Sequence, residues 1–115
     1  MAVTARTAEN FSIDQGADFS RTLTVTTDGS TAYDISGLTL TGQMRKSFAS
    51  DNSSATFTTS LVSATDGTYK IQLDNDTTSN LDDGRYVYDV EITLADSTVE
   101  KVHYGIITVN PQATK

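Results

Sequence analysis

The side chains of this sequence that could carry out chemistry are mainly carboxylates. Four aspartates lie close together in the chain: Asp74, Asp76, Asp82 and Asp83. Such a cluster could bind calcium, but Ser79 stands where an EF-hand loop needs glycine, and Arg85 stands where it needs a bidentate glutamate. We therefore interpret the four aspartates as solvated turn residues and expect no metal site, although a site that pairs this loop with another loop stays open.

His103 is the only histidine in the chain, which restricts the catalytic sites that could be built. A serine triad would need a nucleophile beside it, and the Gly-x-Ser-x-Gly elbow is absent from the sequence. In the predicted last strand His103 alternates with Val102 and Tyr104. We therefore expect His103 to be a surface or edge-strand side chain.

Three further carboxylates could be imagined as a glycosidase pair: Asp89, Glu91 and Glu100. Asp89 and Glu91 fall on the outward face of a regular predicted strand, where charges normally serve solubility. The His-Glu-x-x-His, phosphate-loop and dinucleotide signatures are missing from the sequence. We expect no enzyme, no catalytic or cofactor-binding residues, and no cofactor.

Aromatic side chains could instead bind a ligand by stacking. Five tyrosines could form a platform for a sugar ring: Tyr33, Tyr69, Tyr86, Tyr88 and Tyr104. Most of them fall on the inward faces of predicted strands. We therefore expect them to pack in the core with their hydroxyl groups at its rim.

Length and charge restrict the class of protein further. A chain of 115 residues forms one domain, and the absence of cysteine excludes disulfides and thiolate metal sites. The net charge of -7 argues against a nucleic-acid partner, which would need a basic face. The sequence also gives no sign of a membrane segment. No apolar run approaches the roughly 20 residues that cross a bilayer.

The first residues lack the apolar core of a signal peptide, so we expect synthesis in the cytosol and no membrane partner.

The clearest structural signal is a strand over residues 85–94, which the rest of the chain must position. Its apolar residues alternate with polar ones, and they are Tyr86, Tyr88, Val90, Ile92 and Leu94. A period of two held for ten residues is typical of a strand with one buried face. The turn signal Asp82-Asp83-Gly84 precedes it.

Similar but shorter patterns predict further strands, separated by turn residues. These strands are centred on residues 11–13, 19–26, 38–46, 55–61, 69–73 and 99–109. The last of them changes its inward face near Gly105, which predicts a bulge or a close backbone approach. Residues 74–80 fit one helical turn with Thr77 or Thr78 as N-cap.

Seven to eight strands with frequent turns predict an all-β protein, an antiparallel β-sandwich. We divide the chain into an extended N-terminal arm (1–10), a single domain (11–110) and a C-terminal tail (111–115). Residues 49–54 form a polar loop.

The segment Asp82-Asp83-Gly84-Arg85-Tyr86-Val87-Tyr88 resembles the Asp-x-Gly-x-Tyr-x-Cys signature of strand F in immunoglobulin-type domains. Tyr88 takes the cysteine position, and the sequence has no cysteine or tryptophan. The resemblance implies an Ig-like sandwich. It also implies that the hydroxyl of Tyr86 ties the preceding corner to the strand.

Taken whole, the chain resembles small structural proteins of tailed bacteriophages, including the N-terminal domains of upper baseplate proteins. The segments that carry this resemblance are 11–19, 34–38, 44–46, 66–71, 84–90 and 105–111. The resemblance implies a non-enzymatic virion component, made in the host cytoplasm, that docks on capsid, neck, tail or baseplate proteins. It also implies repeated copies in a symmetric assembly.

Four elements that the core does not need are the candidates for docking. They are the arm at 1–10, the loop at 49–54, the C-terminal tail and the edge of the last strand, which could add a partner strand. The alternative function is a host-surface or glycan-binding module. That module would need exposed aromatic rings on loops, whereas the loops here are rich in Ser, Asn and Asp.

Overall fold

The computed structural model describes residues 4–28, 30–47, 49–50 and 54–113. It is all-β, as the sequence predicts, and its strands form a curled, mostly antiparallel sheet. The strands are β1 (Thr7–Ala8), β2 (Phe11–Asp14), β3 (Phe19–Thr24), β4 (Thr39–Arg45), β5 (Ala55–Ser63), β6 (Thr68–Leu73), β7 (Gly84–Thr93) and β8 (Val99–Asn110). A 3-10 turn (Ala64–Asp66) precedes β6, and a short helix, α1 (Asn75–Ser79), follows it. Among the described residues no helix is long and apolar enough to cross a membrane.

The strands follow one another across the sheet in the order β1-β8-β7-β4-β5-β6-β3, and β2 also pairs with β8. The pairs that β1 and β2 make with β8 are parallel, and the others are antiparallel. β5 changes its partner along its length: residues 55–57 pair with β4, and residues 58–63 pair with β6. The sheet curls at this change of partner, so its two halves face each other across the core.

The predicted central strand is β7, and its alternating residues are buried as expected. Tyr86, Tyr88, Val90 and Ile92 are each at most 1% exposed. β7 lies between β4 and β8, so both of its edges are paired. Burial of two tyrosines and two branched aliphatic side chains on one strand provides a large part of the hydrophobic core.

The two ends of the curled sheet meet through aromatic side chains. The rings of Phe11 on β2 and Phe19 on β3 stack with their centroids 5.2 Å apart. Phe11 also contacts Tyr88, and Phe19 contacts Phe57. On the solvent side of this seam Arg21 lies 3.6 Å from the Glu9 carboxylate. The curled sheet is therefore closed by side-chain packing between β2 and β3.

The hydrogen bond that the resemblance implied for Tyr86 is present. Its hydroxyl donates to the backbone carbonyl oxygen of Asp82 at 2.7 Å. The bond holds the corner between α1 and β7 against the first residues of the strand. The Tyr86 ring itself is buried.

The N-terminal segment lies on the sheet, which differs from the arm that we predicted for residues 1–10. Thr4 is buried, and its backbone N–H and hydroxyl both donate to Glu100 Oε1, at 2.8 and 2.6 Å. β1 then pairs with His103 and Tyr104 of β8. Residues 4–10 are extended, but they lie along β8 because their backbone groups find partners there. Residues 1–3 lie outside the described ranges.

The predicted open edge of the last strand is also covered. β1 and β2 occupy the side of β8 that faces away from β7. A partner strand therefore cannot pair there unless the N-terminal segment first leaves. The C-terminal tail is likewise held over its described part, since the Gln112 N–H donates to Gln15 Oε1 at 3.0 Å. Thr114 and Lys115, and residues 51–53 of the predicted 49–54 loop, lie outside the described ranges.

The change of face in β8 has a different origin from the one predicted at Gly105. Val90 pairs with His103 and Glu91 pairs with Lys101, so Val102 is the extra residue of a bulge. Gly105 instead marks a close backbone approach, because a Cβ atom there would overlap the carbonyl oxygen of Glu9. Of the two explanations offered for this glycine, the close approach is correct.

The predicted helical turn is present as α1, with a different N-cap. The Asp74 side chain caps it by accepting from the Thr77 N–H at 2.8 Å. Thr78, one of the two predicted caps, is buried, and its hydroxyl donates to Ala17 and accepts from Gly16. Asp precedes both threonines and is at least as good an N-cap, so the helix begins earlier.

Two substitutions of Tyr86 should separate the contribution of its hydroxyl hydrogen bond to stability from that of its buried ring. Tyr86→Phe removes only the hydroxyl bond and should lower the free energy of unfolding by about 1 kcal/mol. Tyr86→Ala also removes buried aromatic area and should lower it by about 3–5 kcal/mol. Urea denaturation measures both. Tyr33→Phe is the control, because the Tyr33 hydroxyl bonds none of the described residues; equal losses at both sites would contradict the role of the corner bond.

Gly105→Ala should loosen the N-terminal segment. The added methyl group meets the Glu9 carbonyl, so we expect a loss of about 1–3 kcal/mol in unfolding free energy. Hydrogen exchange at the Glu9 amide, which donates to the Tyr104 carbonyl at 2.8 Å, should become faster. Ile106→Ala, on the adjacent outward-facing residue, should leave that exchange unchanged. Unchanged protection in Gly105→Ala would show that the close approach is not restrictive.

Candidate interaction surfaces

Of the four clustered aspartates, Asp74 and Asp82 make structural contacts, and Asp76 lies in the first turn of α1. Asp74 caps α1, and its hydrogen bonds with Thr77 hold the pKa of its carboxyl group below the usual range. The backbone of Asp82 accepts the Tyr86 hydroxyl. Within the described residues, no three acidic, histidine or cysteine side chains come together as they would around a metal ion.

The three carboxylates considered as a glycosidase pair have separate surroundings. Asp89 forms an ion pair with Lys101 at 3.3 Å, Glu91 is exposed on β7, and Glu100 binds Thr4. Asp89 therefore links β7 to β8, and Glu100 links the N-terminal segment to β8.

His103 is buried, so the prediction of a surface or edge-strand side chain is wrong. It is 3% exposed, and its Nδ1 lies 2.5 Å from the hydroxyl of Tyr69 on the facing half of the sheet. The cause is the bulge, which turns both Val102 and His103 inward. Burial lowers the pKa of His103 below its ordinary value of 6.5, and it raises the pKa of Tyr69.

Several groups face the imidazole and influence its charge. The Glu9 carboxylate and a hydrogen bond to the Thr24 backbone both raise the pKa of His103, but burial is the larger effect. A neutral ring can accept from Tyr69 at Nδ1 and donate through its other nitrogen. The arrangement links β8, β6 and β3 across the core as a buried polar contact.

Stability should fall at acidic pH because of His103. A histidine with a lowered folded-state pKa binds fewer protons when folded, so its stabilisation is complete above about pH 6.5 and is lost as the pH falls. The unfolding free energy should decline below that point by at most about 1.4 kcal/mol per pH unit. His103→Gln should be less sensitive between about pH 7 and 5. Equal slopes for both proteins in urea titrations would contradict this assignment.

A different set of side chains forms the first candidate surface, the outward side of β8, β7 and β4. We call it the outer face and define it by Arg6, Arg45, Val87, Arg85, Tyr104 and Ile106. Ile106 lies opposite Val87, which lies opposite Arg45. Ile106 is 37% exposed, and the guanidinium group of Arg6 lies 5.6 Å from the centre of the Tyr104 ring. The apolar centre thus has arginines beside it, while Asp89, opposite Tyr104 on the same face, is ion-paired with Lys101, and Glu91 lies opposite Lys101.

The charge of the outer face contrasts with that of the chain. The sequence has eight basic and 15 acidic residues, yet three arginines lie on this one side. Arg45 donates to the Ser50 carbonyl and to Gln43. Arg6 and Arg85 have no acidic partner among the described residues. Their charges are therefore available to an acidic ligand or protein.

Sequence reasoning missed the outer face because of the bulge. The sequence predicts a change of face near Gly105, whereas the bulge at Val102 turns the strand before Tyr104 and Ile106. Arg6, Arg45 and Arg85 come from three separate segments, so no basic run is visible in the sequence. Only the pairing of β7 with both β4 and β8, and of β1 with β8, places them on one side.

The second candidate surface is the gap where β5 leaves β4, which we call the β4–β5 wedge. It is a groove of about 250 Å³ lined by Leu38, Thr39, Leu40, Thr59, Ser60 and Leu61. The Thr59 hydroxyl donates to the Leu40 carbonyl at 3.0 Å, which satisfies that group where backbone pairing has ended. Leu61 is 45% exposed and Val62 is 56% exposed beside it.

A larger groove of about 450 Å³ lies on the outward side of β3, β6 and β5. Hydroxyl and amide side chains line most of it, including Ser20, Thr58 and Gln72. Its one aromatic ring, Phe19, stacks on Phe11 in the seam. This groove therefore offers no free ring on which a sugar could stack.

No protein-family model matches the sequence, and no curated protein matches it. Among solved structures the chain is similar to an internalin-like protein of Listeria monocytogenes, with 18% sequence identity and a TM-score of 0.47. The similarity covers 91% of this chain and 28% of that protein, so the chain spans little more than a quarter of its length. A likeness this weak supports no conclusion about fold or function.

Proposed function

We propose that this chain is a non-enzymatic structural protein of a tailed-bacteriophage particle, an Ig-like β-sandwich that docks on neighbouring virion proteins through its outer face. The phage assignment comes from the resemblance of the six sequence segments given above. In this proposal the protein is made in the host cytoplasm and ends in the virion. Its partners are other structural proteins, and its copies repeat with the symmetry of the particle.

The strand order supports the Ig-like part of the proposal. An Ig constant-type domain has strands A, B, E and D in one sheet and C, F and G in the other. Here β3, β6 and β5 follow one another like B, E and D, and β4, β7 and β8 follow one another like C, F and G. The bond from Tyr86 to Asp82 corresponds to the tyrosine corner of strand F.

The observation that carries the docking function is the composition of the outer face. Protein interfaces are enriched in arginine and aromatic residues around an apolar centre. Tyr104 and Ile106 provide the apolar surface, and Arg6 and Arg85 provide charges without partners among the described residues. The rest of the chain is strongly acidic, so a basic patch on it is informative.

The same composition defines the partner. An acidic protein surface would pair with Arg6 and Arg85 and cover Ile106 at its centre. Arginine binds carboxylates through two parallel hydrogen bonds, which fix orientation as well as adding affinity. Attraction of this kind also accelerates association and weakens as salt is added. The outer face therefore suits reversible recognition during assembly.

Reversing one charge on the outer face should prevent incorporation. In particles assembled in host cells, Arg85→Glu should reduce the copy number by roughly tenfold or more, because an unpaired like charge in an interface costs several kcal/mol. Quantitative mass spectrometry of purified particles measures this. Thermal unfolding should be unchanged, since Arg85 is exposed on β7.

Lys70→Glu is the matched control, because it makes the same charge change on β6, away from the outer face. It should be incorporated normally. Normal incorporation of Arg85→Glu would remove the outer face from the proposal. Absence of the unmodified chain from particles, together with binding on a glycan array, would overturn the phage assignment in favour of the glycan-binding alternative.

A further inference from the structure

One edge of β5, distinct from the outer face, has no strand partner among the described residues over positions 58–61. After Phe57 the strand no longer pairs with β4, and its residues 58–61 pair with β6 on one side only. Every strand directs its backbone N–H and C=O groups alternately to its two sides. The side of this stretch that faces the β4–β5 wedge therefore presents backbone groups that β6 cannot satisfy.

Exposed edges in native sheets are usually protected, and this one has little protection. Common devices are charged side chains, proline, bulges and covering segments. No charged residue and no proline occurs from residue 52 to residue 65. A bulge between Leu61 and Ser63 is present, and it limits regular pairing to the residues before it. The pairable stretch is thus 58–61.

Exposed apolar side chains lie at the end of the stretch 58–61. Leu61 and Val62 are exposed at its end, and Leu38 and Leu40 line the wedge beside it. A strand added along β5 would cover Leu61 while satisfying the backbone of the edge. Addition of an extended strand to a sheet edge is an established mode of recognition, in which main-chain hydrogen bonds provide affinity.

The charge of the chain indicates what occupies this edge. Each copy carries a net charge of -7, so two copies repel one another over most of their acidic surface. The run from 52 to 65 is the longest uncharged part of the sequence, and two copies can approach there with least repulsion. In an antiparallel pair related by a two-fold axis, neutral Thr, Ser and Leu side chains face one another.

We infer that residues 58–61 of β5 pair antiparallel with the same residues of a second copy, forming a two-fold dimer. The two copies then share a continuous sheet in which β5 of one copy lies beside β5 of its partner. Such an interface is isologous, so each chain uses its only β5 edge and growth stops at two copies. The inference uses none of the residues of the outer face and does not depend on the phage assignment.

Sedimentation equilibrium of the full chain tests the dimer. We expect a species of twice the mass of one chain, and its fraction should increase with salt because screening weakens the repulsion between acidic copies. Docking through the outer face should weaken with salt, so the two interactions respond in opposite directions. A monomer at every concentration and salt level would overturn the inference while leaving the proposed function intact.

Leu61→Lys should weaken the dimer. The lysine charge would then lie against the partner strand where Leu61 is otherwise covered, and we expect the dissociation constant to rise by roughly tenfold or more. Ile106→Lys is the matched control, since it introduces the same charge at an exposed apolar residue of the outer face. It should leave the dimer intact. Loss of the dimer in Ile106→Lys but not in Leu61→Lys would place the contact on the outer face and overturn the inference.

A cysteine scan provides a measurement that does not depend on a loss of folding. The chain has no cysteine, so each introduced thiol is the only one present. Ser60→Cys, next to the axis, should give disulfide-linked dimers under mild oxidation, whereas Thr58→Cys and Val62→Cys lie farther along the strand from their symmetry mates and should give few. Ser20→Cys, on β3, should give no disulfide-linked dimer. Equal rates at all four positions would contradict an ordered pairing.

Discussion

The change of partner along β5 is the constraint on which the rest of the structure depends. Because β5 pairs first with β4 and then with β6, a sheet of consecutive neighbours curls around one core. The two ends of that sheet then meet, and the rings of Phe11 and Phe19 close the seam. The same change of partner leaves one stretch of β5 paired on a single side. Closure of the core and the open edge thus have one origin.

A single extra residue in β8 determines which side chains are inside and which are available to partners. The bulge at Val102 places His103 in the core against Tyr69 and turns Tyr104 and Ile106 to the outer face. Strand periodicity is two, so one inserted residue exchanges the faces of everything that follows. The buried imidazole contact and the exposed apolar centre are therefore consequences of the same local feature.

The candidate surfaces differ in the forces that they can use. The outer face combines arginines with an apolar centre, so its affinity should depend on charge and salt. The β5 edge is neutral and relies on backbone hydrogen bonds and on burial of Leu61. A strongly acidic chain can use both without interference, because the acidic residues of its turns and loops keep other surfaces apart. Such a division suits a protein that binds its own copies and other proteins.

The sequence by itself determined the all-β class, the position of each strand from β2 to β8, the buried face of β7 and the Tyr86 corner bond. The first three follow from local periodicity and turn residues, which act over a few neighbouring positions, and the corner bond follows from the resemblance to immunoglobulin-type strand F. Only the tertiary structure decided that residues 4–10 lie along β8, that His103 is buried, and that three distant arginines share one face. Those facts depend on strand pairing, which leaves no local signal, and on a one-residue bulge, whose change of face the sequence places near Gly105 and the structure places at Val102.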